Sequence, residues 1–158
     1  MAEPLAEQVI RKISQAAELY NRLIMLVAPA GAGKTTALRE VHRRTSAPLI
    51  SVNLELSRCM LHLTGLQRSL KLPRLLSEIV EATASDVVLL DNIEVLFDVS
   101  LRQDPLRLLQ GVSRNKTVVV AWGGAIDGGD MVYATPDHPE YRRYPVRDVL
   151  VVNPEAAE

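Results

Sequence analysis

The sequence predicts an α/β three-layer domain around a mainly parallel five-stranded sheet. Three observations carry that prediction. Apolar runs alternate with stretches of helical spacing along the chain, as strands joined by crossover helices do. The first run, Leu23 to Val27, opens onto a glycine-rich turn, and a helix-like stretch from Ala37 to Arg44 follows. A later run, Asp86-Val87-Val88-Leu89-Leu90-Asp91, is apolar until its last residue. Such a run reads as a strand buried on both faces, with its closing acid at the edge where open α/β sheets bind ligands.

Each element has its own signal. Leu5, Val9, Ile10, Ile13, Ala16, Ala17 and Tyr20 recur at helical spacing, so 4–21 reads as an amphipathic helix. Strand one covers 23–28 and helix one 34–45, with Leu38 and Val41 inward. Residues 48–53 read as strand two and 54–63 as a short helix, with Gly65 as a break. Pro73 suits the first turn of a further helix, with Leu75, Leu76, Ile79 and Val80 on one face. Strand three is 86–91, a helix follows at 104–113, and strand four is 116–122. Asp127-Gly128-Gly129 is a turn signal. Residues 135–145 read as a polar, proline-bounded loop, and 148–152 as strand five. The chain is expected to form one domain over 1–154, with 155–158 as a tail.

The run Ala28-Pro29-Ala30-Gly31-Ala32-Gly33-Lys34-Thr35-Thr36 has the parts of a Walker A phosphate loop. Gly31 and Gly33 let the loop Pro29–Thr36 curl so that several of its N–H groups, all beyond Pro29 itself, converge on phosphate oxygens. Lys34 would reach the β- and γ-phosphates, and the Thr35 hydroxyl would be a magnesium ligand. The next helix adds its unpaired N–H groups and the positive end of its dipole. The first glycine of the usual pattern is replaced by Ala28, so the backbone there needs no positive φ.

Asp91 at the end of strand three is the matching Walker B acid. It would hold Mg2+ through water, because that ion dehydrates reluctantly. Many ATPases of this type place a glutamate directly after it to polarise the attacking water. Here Asn92 stands in that place and cannot act as a base. Glu94 lies close enough in sequence to substitute, or else serves as an acid at a helix start. Ala121-Trp122-Gly123-Gly124 offers no polar side chain where a γ-phosphate sensor would sit, and Trp122 reads as packing. The expectation is ATP binding with weak or partner-dependent hydrolysis.

Composition narrows the alternatives. The chain has 158 residues and a formal net charge of −1, so bulk charge does not argue for nucleic acid. Cys59 is the single cysteine, which excludes an intrachain disulfide and reads as a buried thiol in a reducing compartment. His42, His62 and His138 lack metal-ligand spacing. No apolar run approaches membrane-spanning length, and the N-terminus is unlike a signal peptide, so a cytoplasmic protein is expected.

Two resemblances extend this reading. The chain resembles the AAA+ family of P-loop ATPases, which implies the strand order 5-1-4-3-2. It is read as an AAA+-like core without a helical lid domain, and so without the second sensor arginine that the lid carries. The family places an arginine finger, acting on a neighbouring subunit, between strands four and five. Arg142 and Arg143 lie there, and Arg114 is a second candidate. The alternatives are that all three are solvated surface arginines, or that Arg142 and Arg143 pair with Glu140 or Asp137.

The stretches Val52-Asn53-Leu54-Glu55-Leu56-Ser57, Leu89 to Phe97 and His138-Pro139-Glu140-Tyr141-Arg142-Arg143-Tyr144 are similar to the BrxF family. These are small P-loop proteins of BREX bacteriophage-exclusion systems. The resemblance implies a homo-oligomeric ATP- and Mg2+-dependent component working beside a methyltransferase, a larger ATPase and a phosphatase-like protein. Direct DNA contact would need arginines of 102–116 and 142–147 to converge. A nucleotide-gated scaffold without turnover and a small-molecule kinase are the competing functions.

Overall fold

Alternation along the central strands decides the architecture. In the computed structural model, which describes residues 4–147 and 149–154, β1 (Leu23–Ala28) is buried along its whole length. Leu23, Met25 and Val27 pack into one apolar cluster, while Ile24 and Leu26 pack into another on the opposite face. β3 (Val87–Asp91) and β4 (Thr117–Gly123) divide the same way. A strand that is apolar on both faces needs cover on both, and that requirement makes three layers.

One face is covered by α1 (Leu5–Ala16) and α2 (Lys34–Thr45), through Ala6, Val9, Leu38 and Val41. The other is covered by α3 (Val52–Met60), α4 (Gly65–Glu81) and α5 (Pro105–Val112), through Val52, Leu56, Leu72, Leu76, Val80 and Leu109. With β2 (Leu49–Ser51) and β8 (Leu150–Val152) at the edges, the sheet order is β2-β3-β4-β1-β8. Every neighbouring pair is parallel. This is the expected 5-1-4-3-2 order, with β8 as the fifth predicted strand. Asp148 and the tail 155–158 lie outside the described residues.

Several details differ from the sequence reading; the first helix, expected over 4–21, stops at Ala16 and leaves Tyr20 exposed. Strand two is shorter than expected, and Val52 and Asn53 already belong to α3. Gly65 is not a break but the first residue of α4, because Thr64 and Gln67 form a capping box there.

Pro73 lies inside α4 rather than at its start. A proline there removes the N–H that Ser69 O would accept. Gln103 Nε2 takes that place and donates to Ser69 O at 2.6 Å. Cys59 is exposed, since α3 turns Val52, Leu56 and Met60 inward instead.

The largest departure is the 124–145 region. β5 (Ala125–Asp127), β6 (Asp130–Tyr133) and β7 (Arg142–Pro145) form a second, antiparallel sheet, and β7 falls within 135–145, where a loop was expected. Gly128 and Gly129 make the β5–β6 turn at positive φ. Gly124 is required by close approach, because a Cβ there would lie 1.9 Å from Val132 O. Trp122 Nε1 donates to the same carbonyl at 3.1 Å. Trp122 also meets Phe97, Tyr133 and Tyr144 edge-on, and Phe97 stacks on Tyr133. These four rings join the small sheet to the large one, so Trp122 serves packing as expected.

Candidate nucleotide site

The glycine-rich turn runs from the carboxyl end of β1 into α2. Gly31 and Gly33 adopt φ of 81° and 91°, a backbone region that residues with a Cβ enter only with strain, although the space beside both is open. Ala28 is not among the positive-φ residues. Gly33 is the N-cap of α2, and no side chain caps that end, so its first N–H groups are left to a ligand. Gly31, Gly33, Lys34, Thr35 and Thr36 line a depression of about 260 Å³ over it.

Lys34 Nζ crosses the loop to donate to Pro29 O at 2.9 Å. Partial burial lowers the Lys34 pKa from its ordinary value, and the carboxylates of Asp91 and Glu94 oppose the shift. A cation kept partly dry beside a ring of backbone donors is suited to phosphate oxygens. Thr35 Oγ1 donates to Asp91 Oδ2 at 2.7 Å. Asp91 is 7% exposed, and its second oxygen accepts from Asn92 N at 2.9 Å. A hydroxyl and a carboxylate, 56 residues apart in sequence and in contact at the loop, are the hard oxygen donors a magnesium ion takes. The donor set therefore fits a nucleotide with a divalent cation.

Asn92 and Glu94 separate in space. Asn92 sits in the left-handed region at φ 54°, and its Nδ2 donates to Ser51 Oγ at 3.1 Å. Its carboxamide thereby ties β3 to β2. Glu94 opens a single 3₁₀ turn, Glu94–Phe97, and acts electrostatically on both Lys34 and Tyr133. Asn53 fixes that turn: its Oδ1 accepts from Val95 N at 2.9 Å, and its backbone N donates to Asn92 O at 3.0 Å. Phe97, stacked on Tyr133, holds the far end.

Ser51 and Asn53 were missed as site residues. The signal was the strand order, which places β2 beside β3 and pairs Ser51 with Asp91.

The three candidate arginines are all engaged within their own chain. Arg143 is gripped by Asp127 and Asp130 of the β5–β6 hairpin, not by Glu140 or Asp137. Arg142 Nη2 donates to Gln103 O at 2.9 Å. The Arg114 guanidinium lies over the Tyr20 ring, 5.6 Å from its centroid. None of them is brought to the phosphate loop of the same chain by these contacts.

No helix among the described residues is long and apolar enough to cross a membrane. Comparison with curated proteins returns no match. Among solved structures, the chain is similar to PCH-2 of C. elegans, at 18% identity and a TM-score of 0.43. The match covers 94% of this chain and 39% of that one, so the chain spans well under half of that protein's length. Residues 24–124, from β1 to just beyond β4, match the family described as ATPase family associated with various cellular activities (AAA). With a P-loop, its partner acid and the sheet order in place, this chain belongs to the AAA family, with a nucleotide-binding, ATPase-like domain.

Proposed function

We propose that the protein binds ATP with Mg2+ and hydrolyses it weakly, as a cytoplasmic, homo-oligomeric component of a BREX phage-defence complex. In this reading nucleotide occupancy controls assembly or partner binding. The observation that carries the nucleotide part is the Thr35–Asp91 contact beside Lys34. Lys34 would bind the phosphates, and Thr35 and Asp91 would hold the cation, which supplies charge neutralisation at the phosphates when bound. Glu94, acting on Lys34 from its fixed turn, is the group that would orient water. The BREX part rests on the sequence stretches similar to that family, and DNA contact would follow only from an assembled basic surface.

Arg142 is the better of the two β7 candidates for acting in trans. It gives one bond to Gln103 O, whereas Arg143 is held by two carboxylates and the Asp127 carbonyl. A specific observation favours a second reading, a nucleotide-gated scaffold without turnover. Asn92 points its carboxamide to Ser51, and buried Trp122 replaces a polar sensor.

Magnesium-dependent ATP turnover over a protein concentration series, with Lys34→Ala as control, tests the proposal. Turnover per subunit that rises with concentration supports a site completed between subunits. Tight ATP binding without turnover above the Lys34→Ala background, even with partners present, establishes the scaffold instead.

A further inference from the structure

α4 turns its Leu72, Leu76 and Val80 side into the core, yet an adjoining stripe is also apolar and faces solvent. Leu66 and Leu70, one helical turn apart, are 70% and 71% exposed. Pro73 and Ser77 continue that stripe by helical spacing. They then form one wall of a groove of about 370 Å³ against α5. Gln103, Asp104, Arg107, Leu108, Gly111 and Val112 form the other wall. Gly111 has nothing within 4 Å of where its Cβ would be, so the groove is open at that point.

The groove does not belong to the nucleotide site, since none of its residues lines the phosphate-loop depression. Leucines at this spacing beside an inter-helix cleft are what a helix-in-groove contact uses.

The charges around the groove select the occupant. Arg107 lines it and Arg102 adjoins Gln103; neither has a carboxylate partner among the described residues. Asp104 is the one acid in the wall, and its Oδ1 is already taken by Arg107 N and by the Tyr144 hydroxyl at 2.8 Å. Exposed leucines with unpaired cations beside them are complementary to an apolar stripe flanked by carboxylates.

We propose that the α4/α5 groove docks an amphipathic helix of a partner protein whose apolar stripe is flanked by acidic residues. The partner's apolar stripe covers Leu66 and Leu70, with one anchor in the cleft between Pro73 and Gly111. Its carboxylates meet Arg107 and Arg102. Docked there, it contacts Gln103 and Asp104, the residues that hold Arg142 and Tyr144 of β7.

The test uses the full chain and two fluorescein-labelled helical peptides with the same leucine stripe, one flanked by glutamates and one by lysines. Fluorescence anisotropy should show saturable binding of the glutamate peptide. The variant Leu70→Asp should weaken it by on the order of tenfold or more. Arg107→Glu should weaken the glutamate peptide and strengthen the lysine peptide. Both substitutions are at exposed positions, and circular dichroism with retained ATP-analogue binding verifies the fold. No saturable binding, equal affinity for the two peptides, or indifference to Leu70→Asp overturns the proposal. So does sedimentation showing that Leu66→Asp with Leu70→Asp only dissolves a self-association of the wild type, which would make the stripe a contact between copies.

Discussion

Gln103→Leu tests the most unusual piece of helix in the protein. Gln103 Nε2 donates to Ser69 O at 2.6 Å and to Leu101 O at 3.0 Å. The first of these carbonyls lacks a helical donor because residue 73 is proline. Leucine keeps the volume and removes both bonds. Two net hydrogen bonds at about 1 kcal/mol each put the loss near 2 kcal/mol, and more if Ser69 O becomes an orphan. Pro73→Ala returns an N–H to the position facing Ser69 O. In that background Gln103→Leu should cost only about 1 kcal/mol, for the Leu101 bond. The cycle therefore predicts a coupling of about 1 kcal/mol between residues 73 and 103. Urea midpoints of the four proteins, at unchanged slope, measure it. Additivity within about 0.3 kcal/mol would refute the claim that Gln103 stands in for the missing helical donor.

Three further outcomes are expected. Asn92→Gly should stay within about 1 kcal/mol of the parent in urea unfolding, losing only the Ser51 bond, whereas Asn92→Val should lose a further ~1–2 kcal/mol because φ is positive there. Equal stability of the two variants would show that the left-handed backbone is not the constraint. Burial, then the bond to Asp104, raises the Tyr144 pKa above its ordinary value, so the folded state holds that proton more tightly than the unfolded one. The resulting stability is complete below about pH 10 and is lost as pH rises toward the higher folded value; Tyr144→Phe should flatten this alkaline decline, and parallel curves would contradict the sign. Glu94→Gln should lower single-turnover ATP hydrolysis by about 10²-fold or more with binding retained, while Asn92→Ala leaves it nearly unchanged; unaltered turnover in Glu94→Gln removes that residue from the chemistry.

The large sheet was readable because its strands are apolar on both faces and end in chemically marked residues. Lys34, Thr35 and Asp91 could be placed together from the two Walker motifs at the carboxyl ends of their strands, and the structure brings Thr35 and Asp91 into contact. The small sheet was not readable, for a physical reason. β5 is three residues long, and β7, Arg142-Arg143-Tyr144-Pro145, has polar side chains on both faces and ends in proline. What holds it is long-range: Arg143 to Asp127 and Asp130, Tyr144 to Asp104, and the four-ring cluster. Pro73 misled for a related cause. Its interior position is tolerated through Gln103, 30 residues away, which no local pattern reveals. Asn92 and Glu94 stood out in the sequence because no glutamate directly follows Asp91. Only the register of Ser51 against Asp91 shows why the first is occupied elsewhere.

The strand lengths have a consequence for how copies of this protein can meet. The three inner strands have six, five and seven residues, while both border strands, β2 and β8, have three. A border that short offers few free N–H and C=O groups to a stranger, and it ends before a second sheet can register against it. Growth by strand addition is thus blunted at both rims. In the assembly proposed above, subunits would meet through helices, loops and side chains, each keeping its own sheet. Their relative tilt would then be free to follow the nucleotide without breaking a shared ladder.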